Sequence, residues 1–291
     1  MNKQPATIRT YLFRGAFLLS LLFVIVIPLA LGQQQLNNWP LAPSGCVPPP
    51  GIPPSPGLTM VAWYPFDETS GSIAFDITGF ANNGTLMNRF HRVPGEVAGA
   101  LYFNGINDYV EAPNAPQINF GDATSPGGNF SIDAWIKVDP SASQGTKIIV
   151  DKRKETDVSS ISGYSLYVGA FSMLQLQLAD HAGVSTYTTP SFQPALTDGN
   201  WHHVAVTVRR NDPQGIRWYH NGYLVWVHDP TDRPGSLKSN SPLRIGTRTT
   251  GPPLTGWWYG GIDELEIFRG VLPARQVRAI YAAGPFGKCK P

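Results

Sequence analysis

The stretch Gly260-Gly261-Ile262-Asp263-Glu264-Leu265-Glu266-Ile267-Phe268 crowds three carboxylates into an otherwise apolar, β-prone run. Acids at this spacing suit three chemistries. Two on one strand face could act as acid and nucleophile toward a glycosidic bond, which in a retaining mechanism needs them about 5–5.5 Å apart. One could supply a hard oxygen to calcium, which takes six to eight. Or they belong to a charged strand of a sandwich, Glu264 and Glu266 sharing a face at period two about 7 Å apart along the backbone.

Aromatic side chains are the second chemical resource. Trp257, Trp258 and Tyr259 sit in the glycine-flanked segment "GWWYGG", and Trp218, Tyr219, Tyr223 and Trp226 line one hairpin. Sugars stack their C–H faces on such rings while polar neighbours fix the hydroxyls. A tandem tryptophan is hard to bury on both sides of a strand, so Trp257-Trp258 ranks first as a ligand contact, whereas Trp218 and Trp226 read as core. His202 and His203 are adjacent, so on a strand they face opposite ways and cannot hold one ion without a bulge. His91, His181, His220 and His228 form no pair at metal-ligand spacing. No nucleophile elbow and no glycine-rich phosphate cradle is present, and neither cysteine has a placed histidine, so no reaction is indicated.

The elements that would position these groups are strands. "FSIDAWIKV" (130–138) and "WHHVAVTVRR" (201–210) alternate with period two, one face apolar and one polar. Asn221-Gly222 between two β-prone arms is a strong hairpin signal. Further strands are predicted near 60–66, 100–105, 108–112, 147–152, 164–169, 173–179, 185–189, 243–248 and 261–268. One helix is predicted at 273–284, opened by Pro273 and stopped by Gly284. Many short strands, 30 glycines, 27 prolines and 11% aromatics indicate one all-β sandwich.

The compartment follows from the N-terminus. Lys3, Arg9 and Arg14 precede the apolar run 16–32, which closes on Ala30-Leu31-Gly32, so residues 1–32 read as an export signal, with an uncleaved anchor as the alternative. Residues 33–58 form a proline-rich, extended lead-in, and residues 59–291 the folded domain. The two cysteines, Cys46 and Cys289, are expected to pair outside the cell and staple the chain ends. Charged residues make up 14% with a formal net charge of +2 and no long block of either sign, which gives nothing for nucleic acid to bind.

Several stretches together, "VAWYPFDETSG", "VPGEVAGALYFNGINDYVEAP", "FSIDAWIKV", "DGNWHHVAVTV", "RWYHNGYLV", "LRIGTR" and "YGGIDELEIFRGVLPARQVRAIYAAGPFGKC", resemble the concanavalin-like, laminin-G-type jelly roll of secreted bacterial proteins over 58–289. The resemblance implies a two-sheet antiparallel jelly-roll sandwich with a short C-terminal helix and neighbouring first and last strands, in keeping with the Cys46–Cys289 pairing. Against the Glu-x-Asp-x-x-Glu strand of laminarinase-like glycosidases, Asp263 and Glu266 align with the last two acids and Gly261 falls where the nucleophile belongs. That strand, followed at once by the helix, is expected at the end of the fold, with Glu264 and Glu266 facing solvent. The resemblance also implies a structural Ca2+ between an early loop and the last strand, with Asp76, Asn83, Asp108 and Asp263 as ligands. It implies that "WHHVAVT" is a packing signature.

The resulting expectation is an exported, non-catalytic module that binds an extracellular carbohydrate or glycoconjugate through Trp257, Trp258 and Tyr259. The alternatives are a structural or assembly protein of the cell envelope, with envelope proteins as partners, and a glycoside hydrolase.

Overall fold

The structure is a computed structural model that describes residues 46–50, 56–142, 145–155, 161–248 and 254–291, all within one compact unit, Leu41–Pro291. The export signal expected at residues 1–32 and most of the proline-rich lead-in expected at 33–58 lie outside the described residues. Sixteen strands run β1 (Leu58–Tyr64), β2 (Ile73–Ala74), β3 (Gly84–Met87), β4 (His91–Pro94), β5 (Gly99–Asn104), β6 (Tyr109–Ala112), β7 (Phe130–Val138), β8 (Lys147–Asp151), β9 (Gly163–Val168), β10 (Leu174–Asp180), β11 (Gly183–Thr188), β12 (His202–Val208), β13 (Ile216–His220), β14 (Tyr223–His228), β15 (Leu243–Ile245) and β16 (Tyr259–Gly270). One helix, α1 (Ala274–Ala283), follows.

They form two antiparallel eight-stranded sheets, the jelly-roll sandwich expected. The first sheet runs β14-β13-β12-β7-β16-β5-β4, with β1 also paired to β16. The second runs β11-β10-β9-β8-β15-β6-β3-β2. Between them lies one core, to which alternate positions contribute: Ile132, Ala134 and Ile136 from β7, and Leu174, Leu176 and Leu178 from β10. Asn221 and Gly222 take positive φ (50° and 78°) in the β13–β14 hairpin turn, the conformation a two-residue turn needs to match strand twist. Strands β2 to β4, two to four residues long, leave no alternating signature in the sequence.

The first sheet departs from the one-sided reading. Its outer face is covered by α1, and Met60, Trp63, Ala205, Tyr219, Phe268, Val277 and Ile280 form a second apolar cluster there. Alternate residues of β7 that read as polar-out, Ser131, Asp133 and Trp135, are therefore buried too. The outer face of the second sheet is left to carry polar side chains.

β16 also departs from its expected place. It is not at the rim of the fold but lies in the middle of the first sheet, between β7 and the pair β5 and β1, because the last strand of a jelly roll returns beside the first. The N-terminal lead-in joins this closure. Val47 pairs in parallel with Lys288, and Cys46 and Cys289 form a disulfide with Cα atoms 5.1 Å apart.

Candidate functional site: an aromatic pocket beside a polar sheet face

Strand alternation builds the outer face of the second sheet. While Leu174, Leu176 and Leu178 point inward, Gln175 and Gln177 point out, where they donate to Thr188 Oγ1 (2.8 Å) and Thr186 Oγ1 (3.0 Å) on β11. Arg153 donates from Nε to Asp151 Oδ2 (2.9 Å) and from a guanidinium nitrogen to Gln177. On β15, Arg244 donates to Glu111 of β6 at 2.7 Å, and its guanidinium lies 5.2 Å from the Tyr109 ring centre. Planar polar groups fixed by such bonds hold their remaining donors and acceptors in defined directions, the property a hydroxyl-rich ligand exploits.

The face ends in a pocket. Trp257 lies 6.1 Å from Tyr109, and Trp257, Tyr259, Thr146, Lys147 and Gly256 line a cavity of about 240 Å³. Tyr259 packs edge-on to Tyr102 (6.0 Å), whose hydroxyl donates to Asp139 at 2.7 Å. Hydrogen bonds from Ser141 and then Tyr102 hold the Asp139 carboxyl below its ordinary range, so an ionised acceptor stands beside the pocket.

The tandem tryptophan divides. Trp257 stays partly exposed, but Trp258 is fully buried in the main core, its Nε1 donating to Gly261 O at 3.2 Å. Trp258 is thus no ligand contact; alternation at the start of β16 sends it inward and its neighbours outward. In the hairpin, Trp218 is core as expected, whereas Trp226 on the edge strand is 46% exposed. Tyr109, Glu111 and Arg244 escaped notice in the sequence, although the period-two pattern of "YVEA" and "LRI" placed them outward.

The three acids of β16 are buried and not solvent-facing. Asp263 pairs with Trp135 and Glu266 with Asp133, so one extra residue is inserted, and Glu264 there adopts φ 50°. This bulge turns Asp263, Glu264 and Glu266 all toward the outer face of the first sheet, with Leu265 in the core. Lys288 contacts both Glu264 (3.0 Å) and Glu266, and Lys290 contacts Glu264 (2.8 Å) and Asp67. Trp63 Nε1 donates to Glu264 at 2.9 Å. Burial works to raise Glu264, yet Lys288 and Lys290 outweigh it and hold its carboxyl below the ordinary range. Burial, then the Asp133 charge, pushes Glu266 well up; burial, then Glu264, does the same to Asp263.

Comparison with known proteins decides the family. A family model described as "Concanavalin A-like lectin/glucanases superfamily" matches residues 104–278, more than half of the chain. The chain belongs to that superfamily. No curated protein matches the sequence. Among solved structures, the fold is shared with the binding domain of Paraclostridial Mosquitocidal Protein 1 (17% identity, TM-score 0.59, 76% of this chain and 51% of that one). It is shared with the botulinum neurotoxin serotype G binding domain (15%, TM-score 0.57, 77% and 51%). It is shared too with domain 4 of AbnA, an extracellular arabinanase from Geobacillus stearothermophilus, solved with arabinotriose (19%, TM-score 0.52, 76% and 98%). The chain spans about half the length of the two toxin domains.

Within this concanavalin A-like chain, the position aligned with a glucanase nucleophile is closed. A Cβ on Gly261 would stand 2.6 Å from Trp201 Cη2, so no acidic side chain fits there. The calcium ligand set fares no better. Asp76 Oδ1 accepts from Trp63 N and Thr78, Asp76 Oδ2 accepts from Asn82, and Asn83 Oδ1 accepts from Asp76 N. Asp108 and Asp263 each accept one backbone N–H, from Asn104 and Val97. Among the described residues no three His, Cys, Asp or Glu side chains converge as a metal group. Asp76, Asn83, Asp108 and Asp263 therefore do not fit one shared Ca2+, because the Asp76 and Asn83 oxygens that would face an ion already hold the β1–β3 loop.

The adjacent histidines face opposite ways, as strand geometry requires. His203 Nε2 lies 3.1 Å from Asp133 on the outer face. On the core side, His202 sits between Asp198 (2.9 Å) and His220 (2.9 Å). Burial, then the neighbouring His202, pushes His220 down to about 4, so it stays neutral in the fold while an unfolded histidine titrates near 6.5. The unfolded state thus binds the extra proton between these values, and His220 makes stability fall as pH drops from about 6.5 to 4. For this buried ring the difference corresponds to a loss of about 3 kcal/mol at the acid end of that range. Glu266 and Asp263 work in the opposite sense, so the comparison is between variants. Wild type is expected to lose about this much relative to His220→Gln in urea melts over that window, and parallel pH profiles would refute the assignment.

Proposed function

We propose that this protein is an exported, non-catalytic carbohydrate-binding module whose ligand sits against Trp257 in the pocket shared with Tyr259 and extends along the polar face past Tyr109, Arg244 and Glu111. The observation that carries the reading is the partly exposed Trp257 ring set at the end of a row of fixed, planar polar groups. An aromatic platform beside convergent donors and acceptors is what pyranose and furanose rings need, and a chain with 14% charged residues and a formal net charge of +2 offers little to a phosphate backbone. The arabinotriose in the arabinanase domain makes short neutral oligosaccharides the class to try first.

Two features support the remainder of the reading. The basic, apolar and small-residue N-terminus, together with a disulfide, suits an oxidising compartment outside the cytosol. The β16 acids support binding without turnover, since both glutamates are buried and engaged by Lys288. Among the described residues no helix is long and apolar enough to cross a membrane.

The test is a glycan array followed by titration calorimetry. Defined neutral-glycan hits are expected, and Trp257→Ala should weaken them at least roughly tenfold, the scale of a lost aromatic hot spot. An empty array, or full affinity in Trp257→Ala, would overturn the proposal.

A further inference from the structure

The end strands of the two sheets are not alike. β4 ("HRVP") carries Arg92 and Pro94, β2 has two residues, and β11 ("GVSTYT") exposes Thr186 beside a single exposed apolar residue, Val184, and has Ser185 tied to Asp232 and Arg233. Charge, proline, brevity and polarity are the devices that stop an edge from pairing with another chain. β14 carries none of these. From Tyr223 to His228 it has no Asp, Glu, Lys or Arg, and four consecutive large apolar residues are exposed: Tyr223 (55%), Leu224 (52%), Val225 (38%) and Trp226 (46%). Its one irregularity is a bulge opposite Trp218 and Tyr219, which adds twist without adding charge.

We infer that β14 is a self-recognition edge, on which a second copy of this chain pairs antiparallel, β14 to β14, joining two eight-stranded sheets into one. The charges flanking the strand select this occupant. At the Tyr223 end, the Arg278 guanidinium lies 5.0 Å from the Tyr223 ring centre; Arg275, one turn earlier on α1, is exposed as well, and α1 contains no acid. At the other end, Asp229 follows His228 directly and is exposed; Asp232 beyond it is already held by Arg233, Ser185 and Tyr187, and Arg217 of β13, in register with Val227, turns its Nε to Gln214 O. A two-fold axis between Val225 and Trp226 sets Tyr223 against His228 of the second copy, so Arg278 at each Tyr223 end meets the exposed Asp229 that follows His228. Parallel pairing would place like charges together. The arrangement closes on itself, as a two-fold interface must, and supplies main-chain hydrogen bonds together with burial of the four apolar side chains.

The experiment is sedimentation velocity on the full chain over a concentration series, at low and high salt. A monomer–dimer equilibrium that weakens with salt is expected. Val225→Lys should raise the dimer dissociation constant at least roughly tenfold at unchanged melting temperature, since a charge at an edge blocks pairing; Leu224→Lys serves if that variant fails to fold. Arg278→Asp should weaken the dimer, and adding Asp229→Arg in the same chain should restore it, which only the antiparallel two-fold arrangement predicts. A monomer at every concentration, association untouched by the edge lysine, or a charge swap without rescue would overturn the inference. So would glycan binding that Trp226→Ala abolishes in a monomeric protein, which would make the edge a sugar platform instead.

Discussion

Replacing Lys288 by methionine is expected to destabilise the fold by about 3–5 kcal/mol at pH 7, the range for removing one member of a buried ion pair. Lys288 is 3% exposed, touches Glu264 and Glu266, and lies 5.2 Å from the Trp63 ring centre. Burial alone would drive its ammonium toward neutrality; Glu266 and Glu264 reverse this and raise it above the ordinary lysine range. Methionine keeps much of the volume but leaves Glu266 without a cation and Glu264 with Lys290 alone. The penalty has a definite pH signature. With the lysine gone, Glu266 is held up by burial with no cation against it, while Glu264 keeps Lys290, and a group whose folded value is raised is harmless below its unfolded value near 4.3 and costly as pH rises through the folded one. Urea melts of Lys288→Met should therefore show a large deficit at pH 7 that shrinks by pH 4. The triple variant Lys288→Met, Glu264→Gln, Glu266→Gln should recover most of the loss, because a buried pair removed whole costs far less than one broken. A deficit under about 1 kcal/mol at pH 7 would mean that the carboxylates reach solvent in solution.

The difference between what the sequence disclosed and what it concealed follows from range. Period-two alternation located β7 and β12, the Asn221-Gly222 turn located its hairpin, and Pro273 and Gly284 bracketed α1, because each signal is local. β2 to β4 are two to four residues long, and Arg92 and Pro94 break the apolar pattern that would have marked β4. Glu264 and Glu266 read as solvent-facing because nothing nearby in sequence announces that Lys288 folds back onto them. Asp263-Glu264 did hold a clue: two adjacent acids in an alternating strand require either one inward acid or a bulge, and the chain adopts the bulge. Trp257-Trp258 held the same kind of clue, since adjacent residues of a strand cannot both face a ligand. The polar face was visible strand by strand, but not the adjacency of β15 to β6 and β8 that brings Arg244, Glu111 and Asp151 together.

The tail that carries Lys288 is held in place by the disulfide, and the second large effect follows from it. Cys46 and Cys289 close a loop with a sequence separation of 243 residues, and the chain-entropy relation assigns such a loop about 5 kcal/mol. The double variant Cys46→Ser, Cys289→Ser is expected to lose an amount of this order in urea melts at low temperature, with the midpoint falling and the slope reflecting a looser unfolded chain. Part of that loss is not entropy of the unfolded state. Val47 N donates to Gly287 O (3.0 Å) and Cys289 N donates to Val47 O (2.8 Å), so the bridged segments flank Lys288 on the backbone. Once the bridge is gone, the tail can peel away with its lysine while the rest of the sandwich stays folded, which exposes the β16 acids to water. Lys288→Met should then cost less in the serine background than in wild type. A double-mutant cycle between the lysine and the disulfide is expected to show a coupling of about 1–3 kcal/mol. Strict additivity would mean that the tail stays seated without its covalent anchor, leaving the disulfide to act on the unfolded chain alone.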